Sequence, residues 1–149
     1  MQAAVGCAQL DKLDQIVAAG RASYQLLYDG LKDVPGLILP VAEANSNPSW
    51  FVFLIAVKED AGFTRNELTG YLEQNKIQTR NLFAGNLTKH PCFDEMRVTG
   101  EGYRIVGELK NTDFVMTNGF WIGVFPGMTK EMNLWMIKCI SEFCKSHAK

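Results

Sequence analysis

Apolar residues recur at near-helical spacing over the first 31 positions of the chain: Leu10, Leu13, Val17, Tyr24, Leu27 and Leu31. This stripe predicts one helix over residues 1–31, ended by Gly30 and Pro35. The helix starts with small apolar residues, and no Ser, Thr, Asp or Asn precedes them to cap the free amide groups. We therefore expect the chain to be cut from a longer polypeptide.

Apolar runs farther along the chain predict β-strands. Residues 37–41 form a short extended piece, and residues 50–57 are aromatic and β-branched without clean alternation, which is typical of a strand buried on both faces. Residues 77–81 and 120–125 predict two more strands. Trp121 in the last of these is a core residue by default, but it can instead face a cleft.

A capping box marks the helix that follows the strand at 50–57. Thr64 and Glu67 have the required spacing and predict a helix to about residue 73, with Asn75 as a left-handed stop. Residues 82–103 contain glycine and proline and show no periodicity, which predicts a long irregular loop. A loop of this length in a compact domain usually has a function.

Two helices are predicted in the last third of the chain. Asn111 or Thr112 caps a short helix that Gly119 ends. Thr129 caps the final helix, whose predicted buried stripe consists of Met132, Trp135, Met136, Cys139, Ile140 and Phe143. The pattern as a whole predicts an α/β fold, an open sheet of three or four strands with helices packed on it, and leaves strand order and direction open.

Composition and charge narrow the class of protein. The 149 residues suit one domain, and a hydrophobic fraction of 47% with a charged fraction of 21% is ordinary for a globular protein. The net charge is -1 with acids and bases interspersed, which argues against a nucleic-acid-binding face. The longest apolar run, residues 51–57, is too short to span a membrane, and no signal peptide is evident.

The reactive side chains form no recognisable catalytic or metal-binding motif. The four cysteines show no paired spacing and are interpreted as reduced thiols of a cytoplasmic protein: Cys7, Cys92, Cys139 and Cys144. His90 and Cys92 are two residues apart, but nucleophilic catalysis also needs a third group that orients the base. We therefore assign no catalytic residue, cofactor ligand or metal ligand to this chain.

Candidate binding residues lie between positions 79 and 91. Arg80 ends a strand, where its planar guanidinium can meet a phosphate, a carboxylate or sugar hydroxyls. Phe83 can stack on a ring, Gly85 lets the backbone approach a ligand, and Asn86 offers both a donor and an acceptor. Taken alone, the pattern favours a surface arginine beside a structural turn.

Several stretches of the chain carry a family resemblance: residues 1–6, 8–10, 60–68, 79–88, 103–109, 111–113 and 120–127. Together they resemble the sugar aminotransferase family (DegT/DnrJ/EryC1/StrS), which has the aspartate aminotransferase fold. Within that family they are most similar to the 3-dehydrases that act on CDP-4-keto-6-deoxy-D-glucose. The phrase at 82–88 separates this branch from ordinary sugar aminotransferases.

The resemblance implies a fold and an activity. It implies the carboxy-terminal small domain of a pyridoxal-phosphate (PLP) transferase of fold type I, with a mostly antiparallel sheet and residues 1–31 as the helix linking it to a large domain. The implied enzyme uses pyridoxamine phosphate (PMP) or PLP, a [2Fe–2S] cluster and a flavin/iron–sulfur reductase to make 3,6-dideoxysugar precursors for O-antigen. The cofactor, the cluster and the catalytic groups belong to the large domain, so this chain is expected to be inactive alone.

The resemblance also gives the candidate contacts a role. Arg80, Phe83 and Asn86 are expected to bind the CDP-sugar on one wall of the cleft, close to the partner subunit of a homodimer. Gln78 and Asn81 stand where the family has glycine and leucine, which bears on sugar specificity more than on the fold.

Two alternatives stay open from the sequence. A PLP-dependent sugar aminotransferase shares the fold and differs at a cofactor lysine that this chain does not contain. A stand-alone small-molecule-binding or interaction domain is expected to cover its apolar first helix in an oligomer. The enzyme-domain hypothesis instead predicts an exposed apolar patch at Met1, Ala4, Val5 and Ala8, where a large domain docks.

Overall fold

The computed structural model describes residues 1–147 of the chain. Its centre is a four-stranded sheet of order β1-β2-β4-β3, with every neighbouring pair antiparallel. The strands are β1 (Leu37–Ile38), β2 (Val52–Val57), β3 (Thr79–Asn81) and β4 (Gly119–Gly123). The predicted α/β fold is confirmed, and the strand order that the sequence left open is now defined.

In the described part of the chain, six α-helices accompany the sheet: α1 (Gln2–Leu10), α2 (Leu13–Leu31), α3 (Arg65–Gln74), α4 (Asp94–Thr99), α5 (Lys110–Asn118) and α6 (Lys130–His147). Two single turns of 3-10 helix, Leu87–Lys89 and Pro91–Phe93, precede α4. Within residues 1–147, none of the helices combines the length and the apolar character needed to cross a membrane.

The predicted single helix over residues 1–31 is divided into α1 and α2. The break lies at Asp11 and Lys12, where the Lys12 amide bonds back only three residues, to the carbonyl of Gln9 at 3.1 Å. No residue of α1 is buried, so no tertiary packing holds the two helices in one continuous ladder. Gly30 does not end α2, which runs to Leu31.

The predicted stripe of the first helix is buried only in its second half. Tyr24, Leu27 and Leu31 lie in the core, whereas Leu10 and Leu13 are exposed. The apolar patch expected at the start of the chain is present on the surface, with Met1, Ala4, Val5 and Ala8 all exposed.

The core lies between one face of the sheet and the helices α2, α3 and α6. Strand β2 is central, and its side chains at Phe53, Ile55 and Val57 are fully buried while the alternating positions are half-buried. The prediction that β2 is buried on both faces is therefore wrong for one face. The alternation of buried and half-buried positions along β2 is not visible in the sequence, because the residues on the half-buried face are also apolar.

The capping box of α3 is confirmed, because the Thr64 side chain accepts from the Glu67 amide and the Glu67 carboxylate accepts from the Thr64 amide. The left-handed stop lies one residue later than predicted, at Lys76 with φ 65° instead of Asn75. Asn75 remains near-helical because its side-chain amide donates to the carbonyl of Tyr71 at 2.9 Å and closes the last turn.

The segment predicted as an irregular loop, residues 82–103, contains the two 3-10 turns and α4. Gly119 ends α5 as predicted, but the helix begins at Lys110, earlier than the predicted caps, and no side chain caps it. Thr129 does cap α6, since its hydroxyl accepts from the Met132 amide at 3.3 Å.

The buried face of α6 differs from the predicted stripe at its amino-terminal end. Met136, Cys139, Ile140 and Phe143 are buried as predicted, and Asn133 and Cys144 join them. Met132 and Trp135 are about half exposed. Helix α6 packs against α2 and α3, so both neighbours set its contact face. The Trp135 indole donates to the Asn75 carbonyl at 3.2 Å instead of entering the core.

Candidate functional site

Arg80 lies on the edge strand β3, directly opposite Trp121 of β4. Directly paired residues of an antiparallel ladder project from the same face of the sheet, so the guanidinium and the indole stand side by side. Both line a cavity of about 370 Å³, which we call the edge groove. The alternative in which Trp121 faces a cleft is therefore confirmed.

The edge groove combines cations with a large apolar surface. Its lining consists of Lys76, Ile77, Gln78, Arg80, Trp121, Gly123, Phe125, Met128, Met132, Trp135 and Met136. Two of these side chains are cationic and none is a carboxylate. The sequence reasoning missed Met132 and Trp135, because their helical spacing fits a buried stripe equally well. Their proximity to Arg80 and Trp121 depends on the sheet register and on the packing of α6, so no local sequence signal indicates it.

Two polar clusters hold the ends of β3, and so position Arg80. At its start, the Glu73 carboxylate accepts from the amide and the hydroxyl of Thr79 at 2.5 and 2.9 Å, and these bonds hold the pKa of Glu73 below its usual value. At its end, the Arg65 guanidinium donates to the Asn81 side chain at 2.6 Å and to the Gly119 carbonyl at 3.0 Å. Burial lowers the pKa of Arg65.

Phe83 lies outside the edge groove. Its ring is 79% exposed, and its backbone adopts a positive φ of 42°. It lines a separate, shallow hollow of about 520 Å³ with Leu82, Ala84, Gly85, Leu87, Asn111, Thr112 and Val115. The structure therefore places Arg80 and Phe83 in neighbouring hollows, three residues apart in the chain, and not in one cavity.

Asn86 is buried, with 3% of its surface exposed. Its side-chain oxygen accepts from the amide and hydroxyl of Thr88 at 3.1 and 2.7 Å, and its side-chain amide donates to Asp113 at 2.6 Å. An amide side chain committed to these three bonds shapes its own loop. The geometry therefore gives Asn86 a loop-forming position, different from the surface contact expected from the sequence.

A polar network surrounds Asn86. Asp113 also pairs with Lys89 at 2.8 Å, and the bonds from Lys89 and from Asn86 hold the pKa of Asp113 below its usual value. His90 bonds through Nε2 to the Ala84 carbonyl at 2.5 Å, and Arg97 donates to the carbonyls of Thr88 and His90. The His90 ring thus supports the loop, and within residues 1–147 it forms no hydrogen bond to the Cys92 thiol.

The described residues do not assemble a cofactor or cluster site. Among residues 1–147, no three His, Cys, Asp or Glu side chains lie close enough to hold a metal, so an iron–sulfur cluster does not fit there. Cys139 and Cys144 are buried in the core, and burial raises the pKa of Cys144 to about 12. The edge groove lacks an acid that could pair with a pyridine nitrogen, so it does not fit PLP either.

Comparison with known proteins identifies relatives over almost the whole chain. The model of the DegT/DnrJ/EryC1/StrS aminotransferase family matches residues 1–140. The chain is 45% identical over 143 residues to dTDP-4-dehydro-2,6-dideoxy-D-glucose 3-dehydratase of Saccharopolyspora spinosa, a match that covers 96% of the chain and 30% of that protein. It is 43% identical over 144 residues to the lipopolysaccharide biosynthesis protein RfbH of Salmonella typhimurium, covering 96% and 32%. The chain thus spans about a third of the length of these relatives.

Solved structures give the same fold. GDP-4-keto-6-deoxy-D-mannose-3-dehydratase of E. coli, with bound hydrated PLP, superposes with a TM-score of 0.77 at 23% identity over 92% of this chain and 34% of that one. S. venezuelae DesV superposes with a TM-score of 0.80 at 23% identity, over 97% of this chain and 36% of DesV. At this level of identity the likeness concerns the fold alone, and it confirms the predicted fold class.

Proposed function

Because the chain belongs to the DegT/DnrJ/EryC1/StrS aminotransferase family, we propose that it forms the carboxy-terminal small domain of a sugar-nucleotide 3-dehydratase. In this proposal the edge groove is the chain's part of the substrate cleft. The observation that carries the proposal is the pair formed by Arg80 and Trp121, which stand opposite each other in a groove without carboxylates.

The groove suits a sugar nucleotide for chemical reasons. A guanidinium binds phosphate oxygens through two parallel hydrogen bonds, and Lys76 adds a second positive charge. The indoles of Trp121 and Trp135 offer apolar faces to a base or sugar ring. A volume of about 370 Å³ is within the usual range for small-molecule sites, although the domain alone leaves the groove open on one side.

The reaction class comes from the relatives. The relative from Saccharopolyspora spinosa is named a 3-dehydratase of a dTDP-sugar, and the Salmonella relative is named for lipopolysaccharide biosynthesis. We infer that the complete enzyme removes the C3 hydroxyl of a 4-keto-6-deoxy sugar carried on a nucleoside diphosphate. The proposed substrate is CDP-4-keto-6-deoxy-D-glucose, and the proposed product is a 3,6-dideoxysugar precursor of O-antigen.

The remaining machinery is proposed to lie outside these residues. The solved relative from E. coli binds PLP. We propose that a large domain of the same polypeptide holds PLP or PMP together with the [2Fe–2S] cluster, that a reductase supplies electrons, and that two subunits form a homodimer. PLP-type cofactors act as an electron sink, while the protein supplies binding and orientation. The exposed apolar face of α1 is the proposed contact with the large domain.

Arg80→Ala in the complete polypeptide tests the substrate role of the groove. Loss of a charge-assisted bond to phosphate is expected to raise KM for the CDP-sugar about 10- to 100-fold, because such bonds contribute about 1.5–3 kcal/mol. Folding is expected to be unaffected, since Arg80 is exposed. The matched control is Arg104→Ala, which removes an exposed arginine outside the groove.

Three outcomes decide the proposal. Unchanged KM and kcat in Arg80→Ala would remove Arg80 from the substrate site. If the enzyme turns over a dTDP-sugar in preference to the CDP-sugar, the proposed reaction stands and the proposed nucleotide is wrong. Amino transfer to the 4-keto sugar, with no loss of the C3 hydroxyl, would establish the aminotransferase alternative.

A further inference from the structure

The segment after β3, residues 82–90, is held in place largely by polar bonds, with no fully buried apolar side chain. We call it the contact loop. Asn86 is its only buried residue, while its apolar side chains at Phe83 and Leu87 are exposed. Since no apolar side chain of the loop is fully buried, directional bonds contribute strongly to its conformation, and the partners of Asn86 help decide where the loop lies.

Those partners lie on one face of α5. Asp113 and Met116 are three residues apart and therefore neighbours on the helix surface. Asp113 accepts from the Asn86 side-chain amide at 2.6 Å, and the Met116 sulfur accepts from the Asn86 backbone amide at 3.2 Å. The loop comes so close to α5 that a Cβ on Gly85 would lie 2.4 Å from Met116 Cγ.

The same contacts bear on Phe83. A positive φ at a phenylalanine costs conformational energy and persists only where the surrounding structure imposes it. Phe83 lies directly before a turn in which His90 Nε2 bonds to the Ala84 carbonyl, enclosing Asn86, and its own amide donates to the Asn81 carbonyl at 2.8 Å. The chain is therefore held before Phe83 by the bond to Asn81 and after it by the turn that Asn86 fixes against α5, and together these set the direction of the exposed ring.

We propose that Asp113 is a positioning residue for substrate binding, which presents Phe83 to the sugar nucleotide by holding Asn86. This inference rests on the proposed function. Asp113 acts through Asn86 and the contact loop and does not itself touch the substrate. Lys89, also in the contact loop, pairs with the other carboxylate oxygen at 2.8 Å, but this pair is about half exposed and is expected to contribute less than the buried Asn86 bond.

The test is a double-mutant cycle in the complete polypeptide, with Asn86→Ala, Asp113→Ala and both together. Each single variant is expected to raise KM for the sugar nucleotide about tenfold with kcat within about twofold, as expected for loss of one buried hydrogen-bond partner. The double variant is expected to have the same KM as each single variant, because both substitutions remove the same hydrogen bond between Asn86 and Asp113. Amide hydrogen exchange of residues 83–90 is expected to accelerate to the same extent in all three.

Three further variants separate positioning from general stability. Asp113→Asn retains an oxygen that accepts from Asn86, so its KM is expected within about threefold of wild type. Lys89→Met is expected within about twofold, as for loss of an exposed ion pair. Glu108→Gln, which removes the exposed pair between Glu108 and Lys110 next to the same helix, is the control and is expected to have no effect.

The outcomes of the cycle are decisive. Additive KM effects of Asn86→Ala and Asp113→Ala, or a raised KM in Asp113→Asn equal to that of Asp113→Ala, would overturn the proposal. Faster loop exchange with unchanged KM would also overturn it, since the loop would then be held without serving binding. If Asp113→Ala does not fold, Asp113→Ser takes its place in the cycle. Absence of any turnover in the wild-type protein would instead refute the proposed function.

Discussion

The body of the domain and the contact loop are stabilised in different ways. The body, formed by the sheet with α2, α3 and α6, buries a continuous apolar cluster in which Phe53, Leu27 and Ile140 have no exposed surface. The contact loop buries one asparagine and exposes its phenylalanine. Apolar burial is non-directional and tolerates approximate geometry, whereas the bonds of Asn86 fix both distance and direction.

This difference suits the proposed roles of the two regions. The body is stabilised by its large buried apolar surface, so it resists unfolding and supplies a rigid support for Arg80 on β3. A loop held by a few polar bonds opens more easily than an apolar core, a property shared by many ligand-binding loops. Three predictions test whether the two regions are as independent as the structure indicates.

The largest effect is expected in the body. Phe53→Ala removes a ring with no exposed surface and leaves a cavity between β2 and the helices, so the free energy of unfolding is expected to fall by about 3–5 kcal/mol. The measurement is urea-dependent hydrogen exchange of the β2 amides. Phe83→Ala is the matched control, because its ring is 79% exposed and its loss is expected to change that free energy by about 0.5 kcal/mol or less. Equal effects would contradict the division into two regions.

A smaller effect is expected at the junction of the loop and α5. Gly85→Ala places a Cβ against Met116 at a position with φ 64°, which an alanine adopts with strain. We expect local opening of residues 83–90 to become easier by about 1–3 kcal/mol, with exchange of the β2 amides unchanged. The control is Gly70→Ala in α3, where nothing lies within 4 Å of the added methyl group. Faster amide hydrogen exchange in both the loop and β2 would show that the loop and the body open as one unit.

The smallest effect is a pH dependence confined to the loop. Bonds from Lys89 and Asn86 lower the pKa of Asp113 below its ordinary value of 3.8, so its carboxylate form stabilises the fold. That contribution is complete above the ordinary value and disappears as the pH falls through the lowered one. Protection of the loop amides, compared with that in Asp113→Asn, is therefore expected to be greater at neutral pH and to converge in acid. If wild type and Asp113→Asn still differ in loop-amide protection in acid, Asp113 is not the group responsible for the pH dependence.

Local signals in the sequence predicted the elements whose stability is local. The capping box at Thr64 and Glu67, the cap at Thr129 and the end of α5 at Gly119 were all predicted, because each depends on side chains within four residues of the helix end. The turns inside residues 82–103 were missed for the opposite reason. The bonds from Asn86 to Asp113 and Met116 join residues 27 and 30 positions apart, which local patterns do not reveal.

The sequence by itself determined the α/β class, the family resemblance and the choice of Arg80 as a candidate site residue. The tertiary structure decided how those residues are used. Strand order places Trp121 beside Arg80, the packing of α6 leaves Trp135 in the same groove, and α5 turns Asn86 from an expected contact into a buried support. The physical reason is that a side chain's exposure and partners depend on which distant segments pack against it, and local periodicity carries no information about that packing.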